Sequence, residues 1–376
     1  MSWPSIDRLK SWGGWRRNGH PRRQIYLQMD LTSTCGLRCR HCFRTVIKLP
    51  RYTMTQAQIR ILGKEVFPWV NRLALSETGE ILGLPILDEA LSTASEAGIP
   101  FVRIQTNGVQ LDEKVGKVLL DNGLSALGIS VDAASAQTYE SIRRGGSFEE
   151  VIQNIRSFVQ LRNRHPSPKT SIALNFVLCT PNAEETLDFL LLAKELGVDS
   201  VAFSHLMIES EEMRKWSLIY DPATANSLHA DIRRRSYELR IPIALPPDLP
   251  SGIRMHTPDK MPDLGFWGYC EAAHDNWMYM MFNGDCFPCL NLQGSGPIGN
   301  VFNQPFAEIW NGLFNQSFRR TARNDGFARG CDHCKAFISQ AVAGDEKGYL
   351  SNRLTSMSTA SLGIEDKVAL SSAGAR

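Results

Sequence analysis

Three cysteines lie close together near the start of the chain, in the segment TSTCGLRCRHCF. Cys35, Cys39 and Cys42 follow a C-x3-C-x2-C spacing, so three thiolates can converge from one short loop. Iron–sulfur clusters normally take four cysteine ligands, and three on a four-iron cluster leave one iron open to an outside ligand. Structural zinc is the alternative, but zinc takes four closed ligands and only His41 is a nearby fourth. The spacing therefore favours a cluster with an open iron.

A second group of cysteines lies nearer the end of the chain. Its last two members form a C-x2-C knuckle in the segment RGCDHCK, and four of its five members are enough to close one tetrahedral or cubane site. Iron–sulfur and zinc ligation both fit this donor set, because structural zinc sites share the spacing. The five are Cys270, Cys286, Cys289, Cys331 and Cys334, while the remaining cysteine, Cys179, is expected to be a small buried apolar side chain.

Short β-like runs alternate with helical stretches between about residues 24 and 206, which predicts repeated βα units. Right-handed crossovers between six such strands give an α/β fold with a curved or partly closed parallel sheet. The first cysteine loop follows directly after a strand, at the edge where reactive groups collect in such sheets. The strand-like runs are QIYLQMDL, NRLALSE, PFVRIQT, ALGISVD, SIALNFVL and SVAFSHL, and the clearest helices between them are EEVIQNIRSFVQLRNR and AEETLDFLLLAKELG.

The bulk composition is that of a globular protein with a large core, with 376 residues of which 43% are hydrophobic and 21% charged. A formal charge of +2 is too small to indicate a nucleic-acid or membrane-surface protein. No apolar run reaches the roughly 18 residues that a membrane span needs, and the N-terminal segment carries Trp and Arg where a signal peptide needs apolar residues. A cytoplasmic location is expected, where clustered thiols indicate metal rather than disulfides.

Cys35, Cys39 and Cys42, at this spacing after a first strand, closely resemble the signature of the radical SAM superfamily. The resemblance implies a partial (β/α)6 TIM-like barrel in which the open iron of a 4Fe-4S cluster binds S-adenosylmethionine. It also implies that one electron from the reduced cluster breaks the sulfonium bond, so that a 5′-deoxyadenosyl radical abstracts hydrogen from a substrate. A one-electron donor such as flavodoxin or ferredoxin is the implied partner.

Further motifs resemble those with which this family binds S-adenosylmethionine. SETGEILGLP after the second strand looks like its Gly-Glu motif, and GISVDAASAQTYESIRRGGSFEEVIQNI after the fourth resembles its SPASM-type branch. Taken alone, the Gly-Glu and Asn-Gly pairs are ordinary turn residues, and the arginine pair is typical of a solvated helix end. The resemblance implies cofactor contacts from His41, Phe43, Gly79, Glu80, Asn107, Ser130, Arg143 and Asn175.

The segment NGDCFPCLNLQGSGPIGNVFNQPFAEIW resembles the SPASM and Twitch extension of the superfamily. A full SPASM module needs about seven cysteines for two clusters, so five cysteines imply one auxiliary 4Fe-4S cluster, as in the shorter Twitch form. Cys286 falls where the family normally has an apolar strand residue, which leaves it as a substitute ligand, a structural thiol or a hydrogen-atom donor. The ligands that the resemblance implies are Cys270, Cys289, Cys331 and Cys334.

The expected organisation has five segments. They are an N-terminal extension (1–23), a radical SAM core (24–206), a helical connection (207–264), a SPASM/Twitch-like α+β iron–sulfur domain (265–340) and a disordered tail (341–376). The connection contains the predicted helix ATANSLHADIRRRSYELR. The iron–sulfur domain contains a predicted hairpin, NWMYMMFNGDCFPCL, that turns at Asn283–Gly284.

A fully ligated auxiliary cluster has no open iron for a substrate, so the expected role is to accept an electron in a net oxidation. Related Twitch enzymes dehydrogenate alcohols of small polar natural products, which is the reaction implied here. A radical epimerase and a peptide or protein maturase are the alternatives, and the 34 residues before Cys35 favour a small molecule over a leader peptide. The alternative that is not an enzyme is a non-catalytic zinc-binding protein. Glu77, His205 and Asp275 lie in suitable segments for a general base.

Overall fold

The computed structural model describes residues 23–75, 78–166, 170–246, 248–249, 276–290 and 296–324. Ten strands in these ranges form one sheet. They are β1 (Ile25–Met29), β2 (Val70–Leu75), β3 (Phe101–Thr106), β4 (Ala126–Ser130), β5 (Ser171–Leu178), β6 (Ser200–His205), β7 (Ile243–Ala244), β8 (Trp277–Met280), β9 (Asp285–Phe287) and β10 (Gly299–Asn300). Their order in space is β10-β9-β8-β1-β2-β3-β4-β5-β6-β7.

Helices connect the strands along the described chain. The α-helices are α1 (Gln56–Glu65), α2 (Leu87–Glu96), α3 (Glu113–Asp121), α4 (Ala136–Ile142), α5 (Phe148–Arg164), α6 (Thr186–Leu196), α7 (Glu211–Trp216), α8 (Pro222–Leu239), α9 (Phe306–Asn311) and α10 (Leu313–Asn324). Short 3₁₀ helices span Phe43–Thr45, Phe67–Trp69, Thr180–Glu185 and Leu218–Tyr220. Side-chain caps fix several helix starts: Asp112, Ser135 and Ser147 each accept a hydrogen bond from the backbone of the third helical residue of α3, α4 and α5.

The expected α/β fold is confirmed. The six predicted strands are β1 to β6, and every neighbouring pair from β1 to β6 is parallel. The predicted connecting helix is α8, which leads into the additional edge strand β7. β8 pairs in parallel with β1, and the strands β8 to β10 therefore continue the sheet of the core. The sequence did not indicate this pairing.

The two faces of the sheet differ in composition. Strands β3 to β6 alternate strictly, and their buried Val, Ile, Leu and Phe residues belong to the large apolar core under the helices. The opposite face carries polar and small residues, and we call it the inner face. It is formed by Gln28, Ala74, Arg103, Gln105, Gly128, Ser130, Ala173, Asn175 and Ala202, which occupy paired positions on β1 to β6.

The predicted hairpin is confirmed as the antiparallel pair β8 and β9. Its turn needs Gly284, whose φ is +88°, and a Cβ there would lie 2.4 Å from the Phe302 ring. The antiparallel strand β10 follows β9 at the sheet edge. The hairpin therefore joins the strand that carries Cys286 to β1 through β8.

The domain boundaries drawn from the sequence stay predictions. The segments 1–22 and 325–376, which include the expected tail, lie outside the described residues. Over the part of the chain that is described, no helix is long and apolar enough to cross a bilayer.

Candidate metal and cofactor site

The first cysteine loop leaves the C-terminal end of β1 and lies against the end of α4. Arg38 donates its backbone N–H to the carbonyl of Arg144 at 2.9 Å, and Arg40 donates to Ile142 at 2.9 Å. Within the loop, the Cys42 N–H donates to the carbonyl of Cys39 at 3.1 Å. These bonds hold the three cysteines over the edge of the sheet where the parallel strands end.

Hydrogen-bond donors approach the sulfurs of this loop. Cys35 Sγ lies 3.4 Å from the backbone nitrogen of Leu37 and 3.6 Å from Nδ2 of Asn107. Cys39 Sγ lies 3.9 Å from Nη1 of Arg143. Donors and positive charge beside cysteine sulfurs stabilise thiolates and tune an iron–sulfur cluster.

Burial raises the pKa of Cys39 to about 11, although the Arg143 guanidinium opposes this shift. Burial likewise raises the pKa of Cys42 above its ordinary value. Both thiols therefore hold their protons at neutral pH until a metal displaces them, since only the thiolate is a ligand.

The donor set fits a four-iron cluster better than a single metal ion. Among the described residues, no three His, Cys, Asp or Glu side chains converge as the ligands of one ion must. Cysteines on a cubane cluster bind different irons and need not converge in that way. The three thiols are nevertheless close enough that Cys35 and Cys42 each raise the pKa of Cys39.

Asp132 organises the buried side of this loop. It is 1% exposed, and its Oδ2 lies 2.6 Å from Nη2 of Arg143 and 3.2 Å from Nε2 of His41. Its Oδ1 accepts the backbone N–H of Val177 at 2.8 Å. Burial alone would raise the pKa of Asp132, but Arg143 and His41 outweigh it and lower that pKa to about 2. Arg143 and His41, two predicted cofactor contacts, are thus held by a carboxylate that the sequence did not single out.

The turn after β2 brings Gly79 and Glu80 against the cysteine loop. The Glu80 N–H donates to the carbonyl of Thr34 at 2.8 Å, and a Cβ on Gly79 would lie 2.4 Å from the carbonyl oxygen of Thr32. Only glycine permits this close approach. The Glu80 carboxylate is 8% exposed and accepts the backbone N–H of Asn107 at 2.7 Å, so two more predicted contacts share one network.

A buried network ties the C-terminal hairpin to this edge. Asp30, directly after β1, is 0% exposed and accepts the backbone N–H of Thr78 at 2.8 Å. Tyr279 on β8 donates its hydroxyl to the same carboxylate at 2.5 Å. The cysteine loop, the turn after β2 and the hairpin are therefore fixed to one another by a single side chain.

The remaining predicted contacts lie at two places. Ser130 and Asn175 are paired neighbours on the inner face, and Ser130 Oγ accepts Nε2 of Gln105 at 2.7 Å. Phe43 is half-buried against an apolar cluster that contains Phe282. The structure thus brings Ser130 and Asn175 together on the sheet and packs Phe43 against the hairpin.

The second cysteine group is described only in part. Cys286 on β9 is 0% exposed in the apolar core and donates its thiol to the carbonyl of Gly284 at 3.7 Å. Burial raises its pKa, as for a packed thiol. Cys289 follows β9 and is half-buried. The other predicted ligands, Cys270, Cys331 and Cys334, lie outside the described residues.

Comparison with protein families decides what this arrangement is. A sequence model described as the Radical SAM superfamily matches residues 29–174, from the end of β1 to β5, and one described as an iron-sulfur cluster-binding domain (SPASM) matches residues 270–335. The chain belongs to the radical SAM superfamily and has a C-terminal SPASM domain. Its cofactors are accordingly S-adenosylmethionine, the 4Fe-4S cluster that binds it and auxiliary iron–sulfur ligation in the SPASM domain.

Curated relatives are distant. The radical SAM chain is 25% identical over 332 residues to the AdoMet-dependent heme synthase of Methanosarcina barkeri, over 81% of this chain and 87% of that protein. It is 26% identical over 208 residues to the GTP 3',8-cyclase of Lactiplantibacillus plantarum, over 54% of this chain and only 60% of the cyclase. These names belong to proteins with different reactions, so similarity identifies a radical SAM enzyme and not its substrate.

Solved structures share the fold of this radical SAM enzyme. Streptococcus suis SuiB bound to precursor peptide SuiA has a TM-score of 0.61 at 17% identity, over 80% of this chain and 67% of that one. Native anSMEcpe with bound AdoMet has a TM-score of 0.59 at 16% identity, over 87% and 99%. At such low identity the likeness concerns the fold alone.

Proposed function

We propose that this radical SAM enzyme is an oxidoreductase that dehydrogenates an alcohol carbon of a small polar molecule, with one auxiliary 4Fe-4S cluster of the Twitch type as electron acceptor. The observation that carries the proposal is the pairing of β8 with β1. It holds the hairpin that leads to Cys289 beside the strand that leads to Cys35. An electron acceptor attached to the same sheet as the radical-generating loop suits a net oxidation.

The atoms and electrons of this reaction balance on the substrate. A secondary alcohol that loses a hydrogen atom from carbon, a proton from its hydroxyl and one electron becomes a ketone. When bound, the cofactors supply the radical that takes the hydrogen atom, as 5′-deoxyadenosine, and the acceptor for the electron. The proposed ligands are Cys35, Cys39 and Cys42 for the first cluster and Cys270, Cys289, Cys331 and Cys334 for the second.

The inner face supports a small polar substrate. Two of its positions carry small, half-buried residues, Ala173 and Ala202. Gln105 and Ser130 add amide and hydroxyl groups to this face. A site with few apolar and several polar side chains selects a hydrophilic ligand.

The general base of the proposed reaction has no assignment among the described residues. His205 has the parity of the core-facing residues of β6, and its ring lies 5.2 Å from that of His229 on α8. It therefore lies under the helices and away from the inner face. Glu77 and Asp275, the other two candidates, are outside the described residues.

Iron and sulfide content, measured on protein reconstituted without oxygen, tests the cofactor assignment. We expect about eight irons per chain, falling to about four in a variant with Cys35, Cys39 and Cys42 all changed to Ala. About four irons falling to none would leave the SPASM domain without a cluster and would contradict the oxidative mechanism.

Product mass tests the reaction type. The reduced enzyme with S-adenosylmethionine is incubated in deuterated water with a library of small hydroxylated metabolites. A product two mass units lighter than its substrate supports dehydrogenation. A product that gains one deuterium at carbon would instead identify an epimerase, and a substrate found only among peptides would identify a maturase.

The electron donor of the proposed reaction is a flavodoxin or ferredoxin, and a basic pocket beside the cysteine loop suits such an acidic protein. The pocket has a volume of about 580 Å³ and is lined by three arginines and one glutamate. Arg38 and Arg144 are exposed there, while Arg40 pairs with Glu212. Opposite charge steers electron-transfer partners together.

Charge reversal tests this surface. Arg38→Glu with Arg144→Glu is expected to slow cluster reduction by flavodoxin about tenfold at low salt and to leave reduction by dithionite unchanged. Arg156→Glu, on the exposed side of α5, is the matched control. Equal slowing with both reductants would place the defect in the cluster and contradict docking at the pocket.

A further inference from the structure

The guanidinium of Arg143 is a buried positive charge against one of the three loop cysteines. The residue is 5% exposed, and its Nη1 lies 3.9 Å from Cys39 Sγ. Its Nε is also buried and meets no acceptor among the described residues. A buried donor without an acceptor costs free energy, so it is expected to face an acceptor on a ligand. The sulfur atoms of an iron–sulfur cluster accept hydrogen bonds of this kind.

The carboxylate of Asp132 is the counter-charge of this guanidinium. Its Oδ2 lies 2.6 Å from Nη2 of Arg143 and 3.2 Å from Nε2 of His41. Nη2 therefore faces the carboxylate, while Nη1 of the same group faces the Cys39 sulfur. The loop after β4 supplies the negative charge and the end of α4 supplies the positive one. The fold thus holds the two charges in a fixed order, with the positive one nearer the sulfur.

Both charges act on the Cys39 sulfur, and they act in opposite directions. Burial raises the pKa of Cys39 to about 11, Arg143 opposes this shift, and Asp132 adds to it by a smaller amount than Arg143 removes. Asp132 is 1% exposed, so water and salt screen these charges much less than surface charges. At an effective dielectric constant of about 20, a unit charge about 6 Å away shifts a one-electron equilibrium more than tenfold.

Reduction adds one negative charge to a cluster, so the two side chains affect it with opposite sign. A guanidinium beside a ligating thiolate stabilises the reduced form and raises the reduction potential. A nearby carboxylate destabilises the reduced form and lowers that potential. A lone buried arginine would therefore make the cluster a weaker reductant, whereas a paired arginine can donate to the thiolate with much of its charge offset.

We infer that Asp132 and Arg143 together set the reduction potential of the cluster that binds S-adenosylmethionine, the guanidinium raising it at Cys39 and the carboxylate lowering it through Arg143. Asp132 is accordingly a positioning residue for the reductive cleavage of the cofactor. One electron enters from an external reductant, and no bond to these two side chains forms or breaks. The inference depends neither on the substrate nor on the auxiliary cluster.

Potentiometric titration followed by electron paramagnetic resonance tests this pair. The full chain is reconstituted without oxygen and titrated without S-adenosylmethionine, so that contacts of Arg143 with the cofactor do not contribute. The signal of the first cluster is the one absent when Cys35, Cys39 and Cys42 are all changed to Ala.

The two single variants are expected to shift this potential in opposite directions. Arg143→Gln is expected to lower the ratio of reduced to oxidised cluster at a fixed potential at least about tenfold, which is about 59 mV for one electron. Asp132→Asn is expected to raise that ratio by at least the same factor. Asp188→Asn, which removes a carboxylate from an exposed position of α6, is expected to leave it unchanged.

Opposite shifts distinguish an effect of charge from structural damage. The double variant, Asp132→Asn with Arg143→Gln, is expected to lie between the two single variants. Added salt is expected to leave all three shifts unchanged, because the pair is buried. Shifts of the same sign in both single variants, or shifts no larger than that of the control, overturn the inference.

The double variant also keeps the test valid if one single variant does not load iron. Arg143→Gln and the double variant differ only in the carboxylate, while Asp132→Asn and the double variant differ only in the guanidinium. Arg143→Lys serves if neither single variant loads iron, since its shorter side chain draws the charge away from Cys39 toward Asp132. It is expected to lower the potential, and an unchanged potential in this variant overturns the inference.

Discussion

At the scale of single residues, Asp132 holds two of the predicted cofactor contacts, Arg143 and His41, in place. Its φ of +64° is in the left-handed region, which Asp adopts more readily than most residues. The conformation is held by Arg143 and His41 on its carboxylate and by Asn182, which donates to its carbonyl at 2.9 Å. Such backbone strain persists where the surrounding contacts over-determine it.

Replacing this carboxylate by an amide tests its role. Asp132→Asn keeps the shape and tolerates the backbone conformation, but it leaves the buried Arg143 guanidinium without an opposite charge. The free energy of unfolding of the cluster-free protein is expected to fall by about 3–5 kcal/mol, measured by urea titration. Asp188→Asn, at an exposed position in the first turn of α6, is the matched control and is expected to cost no more than about 1 kcal/mol. A loss no larger than that of the control would mean that the ion pair does not stabilise the fold.

Replacing the two described cysteines of the SPASM domain is expected to have opposite effects on iron content. Cys289→Ala removes a proposed ligand and is expected to lower iron content from about eight to about four per chain. Cys286→Ala removes a packed core side chain, so it is expected to keep its iron and lose about 1–2 kcal/mol of unfolding free energy. Colorimetric iron analysis and urea titration measure these quantities. Loss of iron in the Cys286 variant instead would make that thiol the ligand.

At the scale of elements, the edge of the sheet is assembled from turns that approach each other closely. The turn after β2 passes so near the cysteine loop that the backbone of Gly79 faces the carbonyls of Thr32 and Thr34. The cysteine loop itself contains Gly36, where an added Cβ would meet nothing within 4 Å. A side chain at position 79 would therefore clash with the cysteine loop, whereas a side chain at position 36 would meet no neighbour.

These two glycines give a matched test. Gly79→Ala would place its Cβ 2.4 Å from the carbonyl oxygen of Thr32, which must push the cysteine loop away from its position. We expect reconstituted iron to fall by about four per chain, since only the first cluster is affected. Gly36→Ala is expected to load iron as the wild type does. Full iron content in the Gly79 variant would show that the loop adjusts without cost to the cluster.

The sequence predicted the features that depend on neighbouring residues and missed those that depend on contacts between residues far apart in the chain. Strict alternation identified β3, β5 and β6 nearly to the residue, because one face of each strand is apolar core and the other is polar. The spacing of the cysteines identified their loop for the same local reason. The pairing of β8 with β1 and that of Asp132 with Arg143 were missed, since no local pattern specifies which distant strand or side chain will be the partner.

At the scale of the whole molecule, the described parts of core and SPASM domain share one sheet. The backbone bonds of β1 to β8, together with the hydroxyl of Tyr279 on Asp30, join them across the cysteine edge. The apolar core likewise includes residues from both, such as Leu27 and Met278. We therefore expect the two matched family regions to unfold together.

Acid is expected to destabilise this unit in two steps. Burial and the neighbouring His229 lower the pKa of His205 to about 4, so the unfolded chain binds a proton that the folded chain does not, and stability falls as pH drops from about 6.5 toward 4. Asp132, with its pKa of about 2, contributes stability above pH 3.8 that is lost as pH falls toward 2. Urea titrations of the cluster-free protein at pH 7, 5 and 4 measure the first step, at about 1.4 kcal/mol per pH unit.

A substitution at His205 tests the first step of acid destabilisation. His205→Phe keeps an aromatic ring against His229 but cannot take up a proton. The slope of unfolding free energy between pH 6 and pH 4 is expected to flatten by one proton relative to wild type. An unchanged slope would assign the acid sensitivity to other groups.

The parallel pairing of β1 with β8 also orders events during synthesis. β1 ends at Met29 and β8 begins at Trp277, so about 250 residues must be made before that edge of β1 finds its partner. At 5–20 residues per second this takes roughly 12–50 seconds. For that interval the strand that leads into Cys35 is an open edge, and open edges are where nascent chains pair wrongly. For the same interval Phe43, next to Cys42, lacks the apolar cluster of the hairpin against which it packs in the folded protein.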